Sequence, residues 1–317
     1  MLEFADITRA AARLDGVAHR TPVFTSRTLD QLTGARVHLK AENLQRTGSF
    51  KLRGAYNAIA SLDDATRERG IVTHSSGNHG QAVAYSAARF GVPSHVVMPS
   101  DAPAVKKAAV AGYGASIVEY DRVTGDREAV AESVVEDTGG TLIPPFDHWD
   151  IMAGQGTTAV ELIEDAGELD ALFVCTGGGG LLAGCATVAA ELLPDARVFG
   201  VEPEASDDTK RSFDAGHIVR IEQPITIADG QALRAPGELT FSVNRSLVTD
   251  IVTVSDDEVI AALRFVFDRL RLVVEPSGAS ALAAVLHGKV DLQGLRVGVT
   301  LSGGNVDRSV FASLLTR

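Results

Sequence analysis

The sequence has few cysteines, no block of basic residues and no long apolar run. Two cysteines in 317 residues, Cys175 and Cys185, cannot make a disulfide framework, so a reduced cytoplasmic setting is the default expectation. The formal net charge is −12, which argues against nucleic acid or an anionic membrane as a partner. No window approaches a transmembrane span, and the N-terminal stretch MLEFADITRAAARL lacks the apolar segment of a signal peptide. These absences favour a small molecule as the partner.

Segments typical of strands alternate with segments typical of helices along most of the chain. Strand VHLK (Val37–Lys40) precedes helix KLRGAYNAIASL, and strand GIVTH (Gly70–His74) precedes helix QAVAYSAARFG. Strands separated by helices of this length predict mostly parallel sheets with right-handed crossovers, and hence an α/β fold. Two regions are predicted less sharply: a helix over about Gly156–Ala166 and an irregular stretch over about Asp207–Asp250.

Four loops with polar or glycine-rich sequences follow predicted strands. They are SSGNHG, TGGGGL, VEPEASDD and LSGGN. Because ligands of such folds bind at the carboxyl ends of the parallel strands, we expect these loops to line one site.

The loop in CTGGGGLLAG joins a strand to a helix. Four glycines allow the main-chain N–H groups to converge, and the start of the helix adds positive potential, so the loop predicts a phosphate cradle. The pattern also fits a dinucleotide fingerprint loosely, as Gly178-x-Gly180-x-x-Ala183 with Glu202 after the next strand. A glycine turn with only a structural role is the third alternative.

The other three loops each have a plainer alternative. HSSGNHGQA offers hydroxyls and N–H groups to an anion or a carbonyl, or it is only a serine-capped helix start. Ser302 in TLSGGN faces a ligand nitrogen or lies in an ordinary turn. Glu202 and Asp208 in GVEPEASDD hold a hard cation such as Mg²⁺ or Ca²⁺, or belong to a solvated acidic loop.

Lys51 lies where the polar turn of RTGSFKLRGAYNAI becomes a helix. Desolvation or a nearby positive field would lower its pKa and supply a neutral amine that attacks an aldehyde. A nucleophilic lysine beside a phosphate cradle points to pyridoxal phosphate, which stabilises a carbanion at an amino-acid α-carbon. The spacing alone does not establish this assignment.

Together the motifs resemble those of the fold-type II pyridoxal-phosphate enzymes, the tryptophan synthase β family. The resemblance is greatest to its serine/threonine dehydratase and serine racemase group. The matching motifs follow the family's order over nearly the whole chain: ENLQRTGSFKLRGA, SSGNHGQA, AGQGT, TGGGGLLAG, GVEP, TIADG, PGELTF, EPSGASALAA and LSGGNVD.

The resemblance implies a role for each loop. Lys51 would bind the cofactor's aldehyde and later move the substrate's α-proton. The other cofactor contacts would be Phe50 beside the ring, Asn78 at the ring hydroxyl, Gly177, Gly178, Gly179, Gly180 and Leu181 at the phosphate, and Ser302 at the pyridine nitrogen. The substrate would meet Ser75, Ser76, Gly77, Asn78 and His79. The metal site of racemase-like members would be Glu202, Ser206 through its carbonyl, and Asp208.

The implied reaction is dehydration and deamination of a small β-hydroxy amino acid, such as L-threonine or L-serine, to a 2-oxo acid and ammonia. Ser76 stands where many threonine dehydratases have alanine, and it favours the alternative of a serine racemase, or a bifunctional enzyme. The stretch PPFDHWD (Pro144–Asp150) replaces a usual His-Pro segment, so His148 and Trp149 are candidates for the substrate side chain. A 3-hydroxyaspartate substrate is therefore a serious candidate, although His148 also fits an ordinary loop histidine.

The resemblance also implies two domains of the tryptophan synthase β type, each with an open, mostly parallel twisted sheet. We expect a small domain over residues 43–144 and a large cofactor-binding domain over residues 1–42 and 145–317. The cofactor would lie between them, and a homodimer or homotetramer is the expected assembly.

Overall fold

The computed structural model describes residues 1–316, and ten strands in this part of the chain form two sheets. In chain order the strands are β1 Val23–Phe24, β2 Arg36–Ala41, β3 Ile71–His74, β4 Ser94–Pro99, β5 Ser116–Tyr120, β6 Thr141–Leu142, β7 Ala171–Cys175, β8 Arg197–Pro203, β9 Asp250–Val254 and β10 Arg296–Leu301.

The larger sheet has the strand order β1-β2-β10-β7-β8-β9 and the smaller has the order β5-β4-β3-β6. Every pairing is parallel except that of β1 with β2, which is antiparallel. This arrangement confirms the predicted α/β class with mostly parallel sheets. All strands of the smaller sheet come from residues 71–142. The domain boundaries at residues 43 and 144 stay a prediction.

Helices connect the strands and cover the sheets. They are α1 Phe4–Leu14, α2 Arg27–Thr33, α3 Lys51–Ser61, α4 Asp64–Glu68, α5 Asn78–Phe90, α6 Ala104–Gly112, α7 Arg127–Thr138, α8 Trp149–Ala166, α9 Gly180–Leu192, α10 Asp208–Ala215, α11 Glu238–Leu247, α12 Asp256–Phe265, α13 Pro276–Leu286 and α14 Arg308–Thr316. Short 3₁₀ turns precede α3 at Glu42–Leu44 and Arg46–Gly48, and a π turn, Val266–Leu270, extends α12. Among residues 1–316, no helix combines the length and the apolar character that crossing a membrane requires.

Two regions differ from the sequence-based expectation. The helix expected over about Gly156–Ala166 begins seven residues earlier, at Trp149, where the His148 side chain accepts a hydrogen bond from the Asp150 main-chain N–H. The stretch expected to be irregular contains α10 and α11, with the strand β9 directly after them.

Close helix packing explains the early start of α8. A Cβ on Gly154 of α8 would lie 2.4 Å from the Arg53 carbonyl oxygen of α3. A Cβ on Gly156 would lie 2.9 Å from the carbonyl oxygen of Gly184, and one on Gly184 would lie 2.3 Å from that of Met152. These glycines therefore let α8 approach the main chains of α3 and α9, and the packing compensates for their low helix propensity. Helix α8 thus packs against both α3, which carries Lys51, and α9, which follows the glycine loop.

Candidate active site

The loop before Lys51 is fixed to the end of β10 in the larger sheet. The main-chain N–H of Phe50 donates to the Ser302 carbonyl oxygen at 3.1 Å, and Ser49 forms an isolated bridge with Gly303. Lys51 is the first residue of α3, directly after this bridge. The sequence motifs around Lys51 and Ser302, far apart in the chain, are thus brought together.

The Lys51 side chain points into the cleft at the carboxyl ends of the strands. Its Nζ donates to the carbonyl oxygen of Pro145 at 2.7 Å and lies 5.2 Å from the centroid of the Phe50 ring. Burial lowers the pKa of the Lys51 amine to about 8, although interaction with the ionisable groups of Cys175 and Glu275 opposes the shift. About a tenth of the amine is therefore neutral at pH 7, far more than for an ordinary lysine, and a neutral amine is the condition for a nucleophilic lysine.

The glycine loop packs against Phe146, the residue that follows the Pro145 contacted by Lys51. The ring of Phe146 covers Gly178 so closely that a Cβ there would come within 2.2 Å of it. Gly179 has φ 91, and a Cβ there would lie 2.7 Å from Nδ2 of Asn244. Helix α9 begins at Gly180, so its free N–H groups and positive end face this loop. A glycine turn at the start of a helix, where the first N–H groups have no partner within the helix, fits a phosphate group.

Two further groups flank Lys51. The thiol of Cys175, the last residue of β7, is buried, and burial raises its pKa to about 11 while a hydrogen bond with the Ser302 hydroxyl opposes the shift. Cys175 was treated from sequence only as an apolar position, and nothing in its sequence context indicates this environment. Ser302 is buried at 2% exposure, and its hydroxyl also lies 3.5 Å from the Ser277 carbonyl oxygen, to which it donates.

The SSGNHG loop contributes a neutral, constrained surface. The Ser75 hydroxyl accepts from the Gly77 main-chain N–H at 3.2 Å, and α5 begins at Asn78. Nε2 of His79 contacts the Ile143 carbonyl oxygen at 3.0 Å, while its buried Nδ1 has no hydrogen-bond partner. Burial and the nearby Lys51 charge lower the pKa of His79 to about 3, so the imidazole is neutral.

Glu275 is a member of the site that the sequence reasoning missed. Its carboxyl oxygen accepts from Nδ2 of Asn78 at 2.6 Å, and burial followed by the charge of Asp229 raises its pKa to about 8. The position was visible only as the first letter of the motif EPSGAS. Its place directly before Pro276, at the start of α13, is the one local signal for a fixed location.

The two acidic residues of the fourth loop are buried as a pair. Glu202 is 0% exposed and Asp208 is 1% exposed, which contradicts the alternative of a solvated acidic loop. Glu202 accepts from the main-chain N–H groups of Thr209 and Lys210 at 3.2 and 2.9 Å. Burial and the neighbouring Asp208 raise the pKa of Glu202, and burial raises that of Asp208 to about 7.

Ser206, the third member of the expected metal set, carries a hydroxyl and not a carboxylate. The Ser206 hydroxyl donates to the Gln231 carbonyl oxygen at 2.8 Å, and Asp208 Oδ2 is buried without a hydrogen-bond partner. Within residues 1–316, no group of three or more His, Cys, Asp or Glu side chains could hold a metal ion. A cation here would therefore need main-chain oxygens as well.

The segment Pro144–Asp150 is organised around neighbouring helices. His148 caps α8, as described above, and Trp149 is 38% exposed. The Asp147 carboxylate accepts from the main-chain N–H groups of Glu238 and Thr240 at the start of α11, at 3.1 and 3.0 Å. His148 is thus used in a helix cap, and the contact of Pro145 with Lys51 was not predicted.

A buried charge network lies behind Lys51 on the same helix. Arg53, 0% exposed, donates to Glu42 at 2.8 Å and to Glu161 at 2.7 Å. Lys40 donates to the same Glu161 at 2.7 Å, so two cations face two carboxylates. This balanced set ties α3 to β2 and α8, and it fixes the direction from which Lys51 enters the cleft.

Comparison with known proteins gives the family. A model described as pyridoxal-phosphate dependent enzyme matches residues 14–303. The chain is 53% identical over 312 residues to L-threo-3-hydroxyaspartate ammonia-lyase of Pseudomonas sp, covering 98% of each chain. It is 48% identical to serine racemase of Schizosaccharomyces pombe, covering 99% of this chain and 97% of the relative. The crystal structure of a T.th. threonine deaminase superposes with a TM-score of 0.91 at 47% identity, covering 96% of this chain and 99% of that chain.

The fold and the site define an enzyme with a cleft lysine beside a glycine cradle. The chain belongs to the pyridoxal-phosphate dependent enzyme family, so its cofactor is pyridoxal phosphate. The resemblance, the fold-type II class and the expected enzyme class are confirmed, and both expected names, ammonia-lyase and racemase, occur among the relatives. The dinucleotide alternative for the glycine loop is set aside.

Proposed function

We propose that this protein is an ammonia-lyase that converts a small β-hydroxy-α-amino acid into a 2-oxo acid and ammonia, the water eliminated from the β-carbon being taken up again on hydrolysis, with 3-hydroxyaspartate as its first candidate substrate. The observation that carries the proposal is the Lys51 amine, which is desolvated, has a pKa of about 8, and donates to the carbonyl oxygen of Pro145, the residue before the Phe146 that packs on Gly178. Pyridoxal phosphate, when bound, supplies an electron sink for negative charge at the substrate's α-carbon.

Binding of the cofactor, transfer of the α-proton and binding of the substrate are assigned to residues of the chain. Lys51 would hold the cofactor at its aldehyde carbon through Nζ, and the Lys51 amine would accept the substrate's α-proton. Main-chain N–H groups from Gly177 to Leu181 hold the phosphate. The Ser302 hydroxyl would be a neutral partner for the ring nitrogen. A partner without charge would not favour protonation there, so loss of the β-hydroxyl would be favoured over transamination. The N–H groups and hydroxyls of residues 75–79 bind the substrate carboxylate, and neutral His79 adds no charge to that surface.

The choice of substrate rests on two considerations. The relative with 53% identity is named for L-threo-3-hydroxyaspartate, and another at 42% identity over 304 residues is named beta-hydroxyaspartate dehydratase. L-threonine and L-serine are the next candidates, because a third relative at 37% identity is named L-threonine ammonia-lyase. His148 is no longer the favoured contact for a second carboxylate, since its Nδ1 is used in the cap of α8.

Racemisation is the second candidate activity, and Ser76 is the residue that favours it. Ser76 precedes Gly77 in the proposed substrate loop and would be the second acid–base group beside Lys51. Several relatives are named serine racemase. A hydroxyl on the second face of the α-carbon would return a proton there and invert the centre. Ser76→Ala should then remove racemisation while elimination persists, and chiral analysis of recovered substrate separates the two activities.

We further propose that Glu202, Asp208 and the Ser206 carbonyl bind a divalent cation. Support comes from the buried, like-charged carboxylates and from the unpartnered Asp208 Oδ2, a combination that a cation would neutralise. The two-domain division at residues 43 and 144, closure over substrate, and a homo-oligomeric assembly also belong to this proposal.

One experiment tests the main proposal. Purified protein with pyridoxal phosphate is incubated with the isomers of 3-hydroxyaspartate, threonine and serine, and the 2-oxo acid, the ammonia and the enantiomer ratio are measured. The expected result is release of 2-oxo acid with the largest kcat/KM for a hydroxyaspartate isomer. Lys51→Ala should abolish it and should prevent borohydride from fixing the cofactor to the chain. Lys289→Ala, which removes a surface ion pair with Glu258, is the matched control and should retain both. Lack of 2-oxo acid from every substrate would overturn the proposal.

A further inference from the structure

A chain of side-chain amides joins the loop before Lys51 to Glu275. Nδ2 of Asn305 donates to the Thr47 carbonyl oxygen at 2.7 Å and to Oδ1 of Asn78 at 2.8 Å. Nδ2 of Asn78 in turn donates to the Glu275 carboxyl at 2.6 Å. The chain thus runs from Thr47 through Asn305 and Asn78 to Glu275.

Only one assignment of nitrogen and oxygen in the Asn305 and Asn78 amides satisfies these hydrogen bonds. A main-chain carbonyl accepts hydrogen bonds and does not donate them, so the Asn305 atom facing Thr47 is its nitrogen. The second N–H of that nitrogen then requires an acceptor, which fixes Oδ1 of Asn78 toward Asn305. Nδ2 of Asn78 must therefore lie at the opposite end, where Glu275 accepts one of its two hydrogens.

The surrounding main chain is built for this contact. A Cβ on Gly48, which has φ 74, would lie 2.4 Å from Oδ1 of Asn305. A Cβ on Gly303 would lie 2.3 Å from Oε1 of Glu275. Thr47 holds φ 62, an uncommon value for a residue with a side chain, and its carbonyl is the acceptor for Asn305. Gly48 and Gly303 thus leave the space that the side chains of Asn305 and Glu275 occupy.

We propose that Asn305 and Glu275 are positioning residues that turn the Asn78 amide so that an N–H, and never its carbonyl, faces the ring oxygen of the cofactor. This inference rests on the proposed cofactor contact of Asn78. One hydrogen of Asn78 Nδ2 is taken by Glu275, and the other remains to donate to that oxygen. An N–H donor stabilises the oxygen as an anion, whereas a carbonyl at the same place would repel it.

The test compares two asparagines that receive the same chemical change. Asn305→Asp keeps the shape but removes both donors, so the Asn78 amide loses the partner that fixes its orientation. Asn43→Asp is the matched control, because Nδ2 of Asn43 donates to the nearby Val273 carbonyl oxygen at 3.0 Å and does not contact Asn78. Glu275→Leu removes the acceptor at the other end.

Two properties of the bound cofactor are measured, and neither is activity. The dissociation constant of pyridoxal phosphate from apoprotein should rise by about tenfold or more in Asn305→Asp and Glu275→Leu, as expected for a hydrogen bond to a charged group. The pH midpoint of the cofactor's visible absorbance band should move up by about one unit or more in Asn305→Asp, because the ring oxygen loses a donor that favours its anion. Asn43→Asp should leave both values unchanged.

Other titratable groups near the ring do not confuse this comparison. Lys51 and Cys175 lie beside Glu275, and Lys106 and Asp229, which also act on Glu275, form an ion pair at 3.0 Å. None of them differs between Asn305→Asp and Asn43→Asp, and the midpoint is not compared for Glu275→Leu. Equal affinity and equal midpoint in the two asparagine variants would overturn the positioning role. Failure of the unmodified protein to bind pyridoxal phosphate would instead overturn the proposed function.

Discussion

Nζ of Lys51 and the carbonyl oxygen of Pro145 are joined by a hydrogen bond of 2.7 Å. The contact holds the amine at the carboxyl ends of the strands, and the next residue, Phe146, packs on Gly178. The segment Pro144–Asp150, which the sequence showed only as a departure from the family pattern, thus connects Lys51 to the glycine loop.

The first prediction concerns the pH at which Lys51 becomes reactive. A pKa of about 8, against an ordinary 10.5, leaves about a tenth of the amine neutral at pH 7. The rate at which apoprotein captures pyridoxal phosphate on Lys51 should therefore rise with pH and level off above about pH 8. It is measured by stopped-flow absorbance, with borohydride trapping and mass spectrometry to locate the adduct.

Glu275 supplies the control for this profile. Its charge raises the pKa of Lys51, so Glu275→Gln should move the midpoint of capture to lower pH. The same depressed pKa means that unfolded chains bind more protons at Lys51 between about pH 8 and 10.5, so its contribution to the free energy of unfolding rises with pH there. A capture midpoint near 10.5 would contradict burial of the amine.

The second prediction concerns Gly179. Gly179→Ala places a Cβ 2.7 Å from Asn244 Nδ2 at a residue with φ 91, inside the cradle. Gly91→Ala has the same kind of conformational cost, at φ 70, with nothing within 4 Å of the added Cβ. Both should lose roughly 1–2 kcal/mol of stability from the left-handed conformation. Only Gly179→Ala should weaken pyridoxal phosphate binding, by about tenfold or more, because the main-chain donors move away from the phosphate.

Fluorescence titration of apoprotein gives the affinities, and urea unfolding gives the stabilities. Equal cofactor affinity in the two variants would exclude Gly179 from the cradle.

The third prediction concerns the acidic pair. Mg²⁺ or Ca²⁺ at millimolar concentration should raise Tm by a few degrees, because a ligand that binds only the folded state stabilises it. Asp208→Asn should abolish the shift, since it removes the buried Oδ2 that has no partner. The adjacent Asp207, whose carboxylate pairs with Arg211 at 2.8 Å, is the control, and Asp207→Asn should keep the shift. Loss of the shift in both variants, or its absence from the unmodified protein, would argue against a cation at this loop.

The sequence predicted the parts of the structure that have a local cause. Alternation of strands and helices gave the parallel sheets, and the glycine loop was visible because four glycines after a strand have few other uses. Lys51 was singled out by its place between a polar turn and a helix, whereas the role of Asn78 came from the family resemblance. Each of these features is written in a short stretch of chain.

Features that depend on contacts between distant segments were missed. The early start of α8 depends on glycines that meet other helices, and glycine in isolation predicts a break. Glu275 and Asn305 acquire their roles only where α13 and the loop after β10 meet α5, which no local pattern indicates. The burial of Glu202 and Asp208 likewise follows from packing against the segment that contains Gln231.

The fourth prediction concerns Arg53, two residues after Lys51. It is fully buried and bridges Glu42 and Glu161, and truncation would leave two carboxylates with too few partners. Because breaking a buried pair exposes the desolvation cost of the remaining charge, Arg53→Ala should lose about 3–5 kcal/mol of unfolding free energy. Arg211→Ala breaks a surface pair of similar length, 2.8 Å, and should lose less than about 1 kcal/mol. Urea unfolding of the two variants measures the difference. A loss of similar size in both would mean that the network behind Lys51 does not anchor α3, and that the entry direction of the lysine is set by the loop before it alone.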